Sequence, residues 1–245
     1  MDYSLETSVI GILAMKPVCL VTGVGPGTGR AIVERFSKQY VVAMLARKED
    51  RLARFVSEID NTHAYPCDVA VPQQLTTTLE TVRSELGHPA VVIHNAVGGA
   101  FGEYLDIDRE TLQKNFDVNV LAMLQLAQEV TPHMIEQGQG AFICTGNTSA
   151  FRGSANFSGF APTKAAQRIL AESMARAAGP KGVHVAYVAI DAVINLEWTR
   201  KRFKDKPDDF FCEPGDIAEH VWQVAHQAKS AWTFESVIRP FGEKW

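Results

Sequence analysis

Gly23, Gly25, Gly27 and Gly29 occupy every second position of Thr22-Gly23-Val24-Gly25-Pro26-Gly27-Thr28-Gly29. Positions without a Cβ let a backbone turn sharply and bring its N–H groups against a phosphate. An apolar run, Val18 to Thr22, leads into the cluster, and a stretch with Ile32, Val33 and Phe36 on one helical face leads out of it. Strand, glycine turn and helix in that order set free N–H groups and the positive end of a helix dipole at the turn, which suits a dinucleotide pyrophosphate. No Lys-Ser or Lys-Thr pair closes the turn, so it is not the loop that such a pair marks in nucleoside-triphosphate enzymes.

The second apolar run ends in Leu45-Ala46-Arg47-Lys48, with no acid at its end. An Asp or Glu there would hold the ribose 2′-OH of NAD, whereas an Arg accommodates the 2′-phosphate of NADP. The guanidinium of Arg47 is a planar fork suited to phosphate. The expected cofactor is therefore NADP, with NAD the less favoured choice. The alternative is that Arg47 and Lys48 are solvated charges ahead of a helix opening at Glu49-Asp50-Arg51.

These residues need a frame. Strands are predicted at Val18 to Thr22, Val41 to Ala46, Ala64 to Cys67, Ala90 to His94, Ala141 to Thr145, Val183 to Ile190 and Phe234 to Ile238. Helices are predicted at Gly29 to Gln39, Arg51 to Ile59, Gln73 to Leu86, Arg109 to Glu136, Thr163 to Ala177 and Pro214 to Ala228, with a lid from Trp198 to Asp209. The strands are nearly continuous apolar runs, as in parallel sheets covered on both faces. The alternation predicts an α/β fold: a single doubly wound Rossmann-type domain with a seven-stranded parallel sheet, residues 15–245. Residues 1–14 form an N-terminal extension, and Met15 is a candidate start. Asp2 and Glu6, with no basic residue ahead of the apolar part, make that extension a poor signal peptide.

The composition, 46% hydrophobic and 21% charged over 245 residues, is that of a soluble globular protein. A net charge of −4 argues against a nucleic-acid partner, and no apolar run reaches a membrane span. Cys19, Cys67, Cys144 and Cys212 form no C-x-x-C pair and no zinc spacing. Reduced thiols, a cytoplasmic location and no metal site are expected.

The motifs together resemble the short-chain dehydrogenase/reductase family. Thr22-Gly23-x-x-x-Gly27-x-Gly29 resembles its fingerprint, and Cys67-Asp68-Val69 its Asp-Val pair beside the adenine. His94-Asn95-Ala96-Val97 resembles its Asn-Asn-Ala-Gly element with first and last residues changed. Asn119 in Asp117-Val118-Asn119-Val120 matches its long-helix Asn, and Lys164 its ribose-binding Lys. The resemblance implies an oxidoreductase acting on a carbonyl or alcohol of a small molecule. It also implies cofactor contacts from Gly23, Gly25, Gly27, Thr28, Gly29, Arg47, Asp68, Val69, Asn95, Ala96, Lys164 and the backbone of Val193.

Two positions depart from the family. Phe160 stands where the resemblance expects the proton-donating Tyr of Tyr-x-x-x-Lys, and Asn147, thirteen residues earlier, where it expects Ser. An offset of one would bring Thr148 to the Ser position, with Ser149 next. Asn119, Asn147, Phe160 and Lys164 are therefore the catalytic positions of an altered site. Asn147 can still donate a hydrogen bond, and a phenyl ring cannot transfer a proton.

The loop after the sixth strand reads Ile190-Asp191-Ala192-Val193-Ile194-Asn195, where the family shows Pro-Gly. Asp191 is either a replacement acid or a structural carboxylate that caps the lid or pairs with a base. His94 is expected beneath the cofactor, satisfied by backbone. Tyr104, Arg152 and Ser158 are candidates for the substrate side, and Phe151, Phe157 and Phe160 for an apolar wall or for core. Trp198 to Lys204 is either an anion contact or a solvated face.

Val118, Leu121, Leu124, Leu126, Ile169, Leu170 and Met174 exceed one narrow stripe, and the resemblance implies a homodimer or homotetramer. The terminal Phe241 to Trp245 segment is expected to dock on a neighbour. The alternative function is a non-catalytic NADP-binding sensor or a subunit of a hetero-oligomer.

Overall fold

The computed structural model of this chain describes residues 16–242. The predicted extension at residues 1–14 and the terminal Trp245 lie outside them.

Among the described residues there are nine strands and eight α-helices. They are β1 (Val18–Thr22), α1 (Thr28–Phe36), β2 (Val41–Ala46), α2 (Glu49–Glu58), β3 (Thr62–Pro66), α3 (Pro72–Glu85), β4 (Pro89–His94), α4 (Arg109–Phe116) and α5 (Ala122–Glu136). There follow β5 (Gly140–Gly146), α6 (Ala161–Ala178), β6 (Val183–Ile190), β7 (Val193–Ile194), α7 (Glu197–Arg202), β8 (Phe211–Cys212), α8 (Pro214–Ala225) and β9 (Glu235–Ile238). Seven strands form one parallel sheet in the order β3-β2-β1-β4-β5-β6-β9. The α/β Rossmann-type sheet is the one the apolar runs predict.

Every residue of β1 and β6 is buried. Alternate side chains feed two cores. Val18, Leu20 and Phe142 face α3, α5 and α6, while Cys19, Val21 and Ile143 face α1, α2 and α8. Burial on both faces explains why the strands lack a polar alternation. Strand order reverses between β1 and β4, so the chain diverges at their carboxyl ends and leaves a crevice there.

Three differences from the predicted elements bear on the site. The helix predicted from Arg109 to Glu136 opens into a π-turn at Asp117–Leu121, between α4 and α5. A π-turn displaces backbone carbonyls from the α-helical ladder, and Asn119 lies within it. The predicted lid from Trp198 is a short helix, α7, whose stem is a two-stranded parallel ribbon of β7 and β8 that the sequence reading does not foresee. The last strand begins at Glu235, one residue later than predicted. Among the described residues no helix is long and apolar enough to cross a membrane.

Candidate active site

A cleft of 640 Å³ opens at the carboxyl edge of the sheet, between the glycine turn and the β2 end on one side and the loop after β4 on the other. Gly23 sits at φ +70°, and a Cβ there would meet the Ala96 backbone at 2.5 Å. A Cβ on Gly29 would lie 2.7 Å from Gly23 O. Only glycine fits either position. Asn95 fixes the arrangement: its Nδ2 donates to Gly23 O (3.0 Å), and its Oδ1 accepts from Thr145 Oγ1 (2.8 Å).

Helix α1 begins at this turn with Gly27 as its N-cap and no side-chain cap. Thr28 Oγ1, beside it, is buried without a hydrogen-bond partner. A Cβ on Gly25, which lines the cleft, would meet nothing within 4 Å. An uncapped helix start, an orphaned hydroxyl and open space over a glycine fit a pyrophosphate.

Arg47, Lys48 and Arg51 line the outer end of the cleft. None of the three has an ion-pair partner among the described residues. Asp68 and Val69 face them across the cleft. Asp68 Oδ1 accepts from Ala70 N at 3.1 Å, which shapes the turn after β3.

The inner end is packed rather than open. Lys164 is buried, and its Nζ donates to Gln167 Oε1 one helical turn on. Gln167 Nε2 in turn donates to Asn119 O at 2.7 Å, a carbonyl within the π-turn. Asn119 Nδ2 donates to Gly98 O (3.0 Å) and to Thr163 Oγ1 (2.8 Å), and Thr163 Oγ1 donates to Phe160 O (2.8 Å). Burial lowers the Lys164 pKa, with the Cys144 thiol acting weakly against it. Burial pushes Cys144 itself up to about 12.

His94 is fully buried beneath this end. Thr22 Oγ1 accepts from Ala96 N (3.2 Å) and shares a hydrogen bond with His94 Nδ1 (3.1 Å). His94 Nε2 has no partner among the described residues. The partner of His94 is thus a side-chain hydroxyl, not the backbone that the sequence reading expects. Burial, reinforced by the Lys164 charge, pushes its pKa down to about 3, so it is a neutral imidazole.

Phe160 is buried at the start of α6 in a cluster with Phe157 and Phe101, whose ring centroid lies 5.2 Å from each. Asn147 Oδ1 accepts from Ser149 N (3.1 Å) and caps the turn Thr148–Ala150. Asp191 is a structural carboxylate: Thr148 Oγ1 donates to its Oδ1 (2.6 Å), and Arg239 pairs with its Oδ2 at 3.5 Å. Val193 lies in β7, paired with Phe211. Of the basic lid residues, Arg200 pairs with Asp208 and Lys201 with Glu197, as on a solvated face. Tyr104 is exposed, and Arg152 and Ser158 line a separate groove of 390 Å³.

The glycine turn, Arg47, Asp68, Val69, Asn95 and Ala96 thus share one cleft. Asn119, Phe160 and Lys164 form a packed cluster at its inner end. Two participants escape the sequence reading. Gln167 is visible only as the residue three positions after Lys164, on the same helix face. Leu196 approaches Gly27 so closely that a Cβ there would stand 2.5 Å from its Cδ2.

The sequence pattern described as short chain dehydrogenase matches residues 17–206, so the chain belongs to that family. An uncharacterized oxidoreductase of Staphylococcus aureus strain USA300 is 25% identical over 229 residues, 91% of this chain and 96% of the relative. A short-chain dehydrogenase from Rhodopseudomonas palustris has a crystal structure that superimposes with a TM-score of 0.79 at 28% identity, covering 92% of this chain and 99% of that one. A metagenomic short-chain oxidoreductase in complex with NADP superimposes with a TM-score of 0.81 at 24% identity, covering 94% and 99%.

Proposed function

We propose that the chain is an NADP(H)-dependent oxidoreductase that moves hydride at a trigonal carbon of a small substrate of the carbonyl class. The observation that carries this is the uncapped start of α1 in a glycine turn whose outer end holds three unpaired cations. Gly23, Gly25, Gly27, Thr28 and Gly29 would hold the pyrophosphate, Arg47 the 2′-phosphate, and Asp68 and Val69 the adenine. Asn95 and Ala96 would form the floor, Lys164 would hold the inner ribose, and the Val193 backbone the carboxamide. When bound, NADP(H) supplies or accepts the hydride.

Phe160 and Asn147 stand at the positions where the family resemblance expects Tyr and Ser. General acid catalysis contributes about 10²–10⁴-fold, while proximity of donor and acceptor survives its loss. Asn147 would orient an acceptor by donating a hydrogen bond, and Phe160 would supply an apolar contact. The test is a calorimetric titration with NADPH and, separately, with NADH. Tight binding of NADPH alone is expected, and binding of neither removes the reading.

A second reading, a non-catalytic NADP-binding sensor or hetero-oligomer subunit, is favoured by the burial of Phe160 among other phenyl rings. Turnover by the unmodified protein that Lys164→Ala abolishes would remove it. Leu121, Leu124 and Ile169 are exposed at 49%, 36% and 56%, which supports assembly as a homodimer or homotetramer. Light scattering on the purified protein tests that. Four free cysteines fit a reducing, cytoplasmic setting.

A further inference from the structure

The groups at the altered catalytic positions offer no proton directly to a substrate: the hydroxyl of Thr163 donates to Phe160 O, and the Lys164 ammonium is buried. Phe160 is a hydrocarbon, and Asn147 and Gln167 are amides. The buried Lys164 ammonium donates to Gln167 Oε1, and Gln167 Nε2 donates to Asn119 O. A neutral amide accepts at oxygen and donates at nitrogen without passing a proton between them, so this series of bonds is a dead end. Asp191, the carboxylate of the adjoining loop, is held by Thr148 and Arg239. A hydride delivered to a ketone here would leave an alkoxide with no acid beside it.

The loop after β4, which lays Phe101 against Phe160, has a definite charge. Gly98 to Asp108 carries Phe101, Glu103, Asp106 and Asp108 and no Lys, Arg or His. Gly102 N donates to Asn156 O (3.0 Å) and Ser158 N to Gly102 O (3.2 Å), which clamps this loop to the segment before α6. Phe101 is thereby laid against Phe157 and Phe160 while remaining 59% exposed. Glu103 and Asp106 are exposed and have no ion-pair partner among the described residues. Aromatic faces and unpaired carboxylates both attract an organic cation, and a neutral ketone gains from neither. The basic residue of the segment before α6, Arg152, lines a groove with Ser149, Ser154 and Phe157 and not the cleft of the glycine turn.

We propose that this site reduces acceptors that already carry positive charge, namely iminium ions, with Gln167 as the positioning residue that closes the proton path beneath Phe160. The iminium carbon takes the hydride with its electron pair, and the C=N π pair becomes a lone pair on nitrogen. The product is a neutral amine, the reduced nicotinamide is left oxidised, and atoms and charge balance without a proton.

The proposal rests on the cofactor reading above, and the test separates the two failures. NADPH binding is measured first by calorimetry, and its absence overturns both. The protein loaded with NADP⁺ is then titrated with a permanently charged cyclic N-alkyl iminium salt and with the ketone of the same carbon skeleton. The iminium salt is expected to bind about tenfold more tightly, and Phe101→Leu with Glu103→Gln to remove that preference. With NADPH the iminium salt is expected to be reduced with a solvent deuterium isotope effect near unity, and the ketone to be left untouched. Equal binding, or ketone turnover by the unmodified protein, overturns the substrate class.

Gln167→Glu keeps the shape of the side chain and replaces the amide with an ionisable carboxyl that can take a proton from Lys164 and pass it on, and Gln167→Ala removes the amide. Either, combined with Phe160→Tyr, is expected to reduce the ketone at least about tenfold faster than Phe160→Tyr alone, within the range of a general acid. Equal rates would overturn the role of Gln167.

Discussion

The hydroxyl of Tyr187 fills the space that a side chain at position 146 would need: a Cβ built on Gly146 would stand 1.9 Å from it. Tyr187 is fully buried on β6, and Asn147 follows Gly146 at the end of β5. The pair therefore sets where the turn carrying Asn147 and Thr148 leaves the sheet. Gly146→Ala is expected to lower stability by about 1–3 kcal/mol, the usual cost of overpacking. Tyr187→Leu is expected to recover most of that loss in the double variant, which a denaturation cycle over the four proteins measures. The Tyr187 hydroxyl is buried against the Asn147 backbone without a well-formed hydrogen bond, so Tyr187→Phe is expected to cost less than about 1 kcal/mol. An unchanged melting midpoint for Gly146→Ala would contradict the packing described.

His94 gives the fold a defined response to acid. Its pKa falls from the ordinary 6.5 to about 3 on folding, so between those values the unfolded chain binds the proton and the folded one does not. Stability is therefore fully present above about pH 6.5 and is lost as pH falls, at about 1.4 kcal/mol per unit. Carboxylates and other histidines titrate nearby, so the measurement is a difference. His94→Asn is expected to flatten the urea midpoint against pH between about pH 6 and about pH 4 by that slope. Parallel profiles would mean that His94 takes up its proton in the folded state.

The sheet was legible because strands buried on both faces leave nothing but apolar runs, and Val183–Ile190 could be read almost to the residue. The glycine turn was legible because Gly23 and Gly29 are required by backbone contacts close in sequence or one strand away. The inner site was not. Lys164 and Asn119 could be named, but the amide joining them comes from helix α6 reaching a carbonyl within a π-turn. No local periodicity encodes that meeting. The β7–β8 ribbon escaped for a related reason: two-residue strands pair only because the lid returns on itself. His94 was misread because its partner, Thr22, lies on the neighbouring strand rather than on the local backbone.

Arg47 separates the two nicotinamide cofactors on the NADP(H) reading. It is exposed at the end of β2 with no ion-pair partner among the described residues, so its removal leaves none of them unsatisfied. Arg47→Ala is expected to keep the melting temperature and to weaken NADPH binding about 10–100-fold, as for one charge-assisted hydrogen bond. NADH binding is expected to be unchanged. An equal loss for both cofactors would place Arg47 away from the 2′-phosphate.

Two glycines of the same turn should divide structural need from ligand need. Gly23→Ala forces a Cβ into the Ala96 backbone at φ +70° and is expected to destabilise the fold by about 2–5 kcal/mol. Gly25 has neither a positive φ nor a neighbour within 4 Å of its would-be Cβ, yet it lines the cleft. Gly25→Ala is therefore expected to leave stability unchanged or raise it by about 0.4–1 kcal/mol, because the unfolded chain loses freedom. The added methyl would instead stand where the pyrophosphate approaches, and NADPH binding is expected to fall at least about tenfold. A stable Gly25→Ala protein that binds NADPH as well as the parent would show that the phosphates do not lie over this residue.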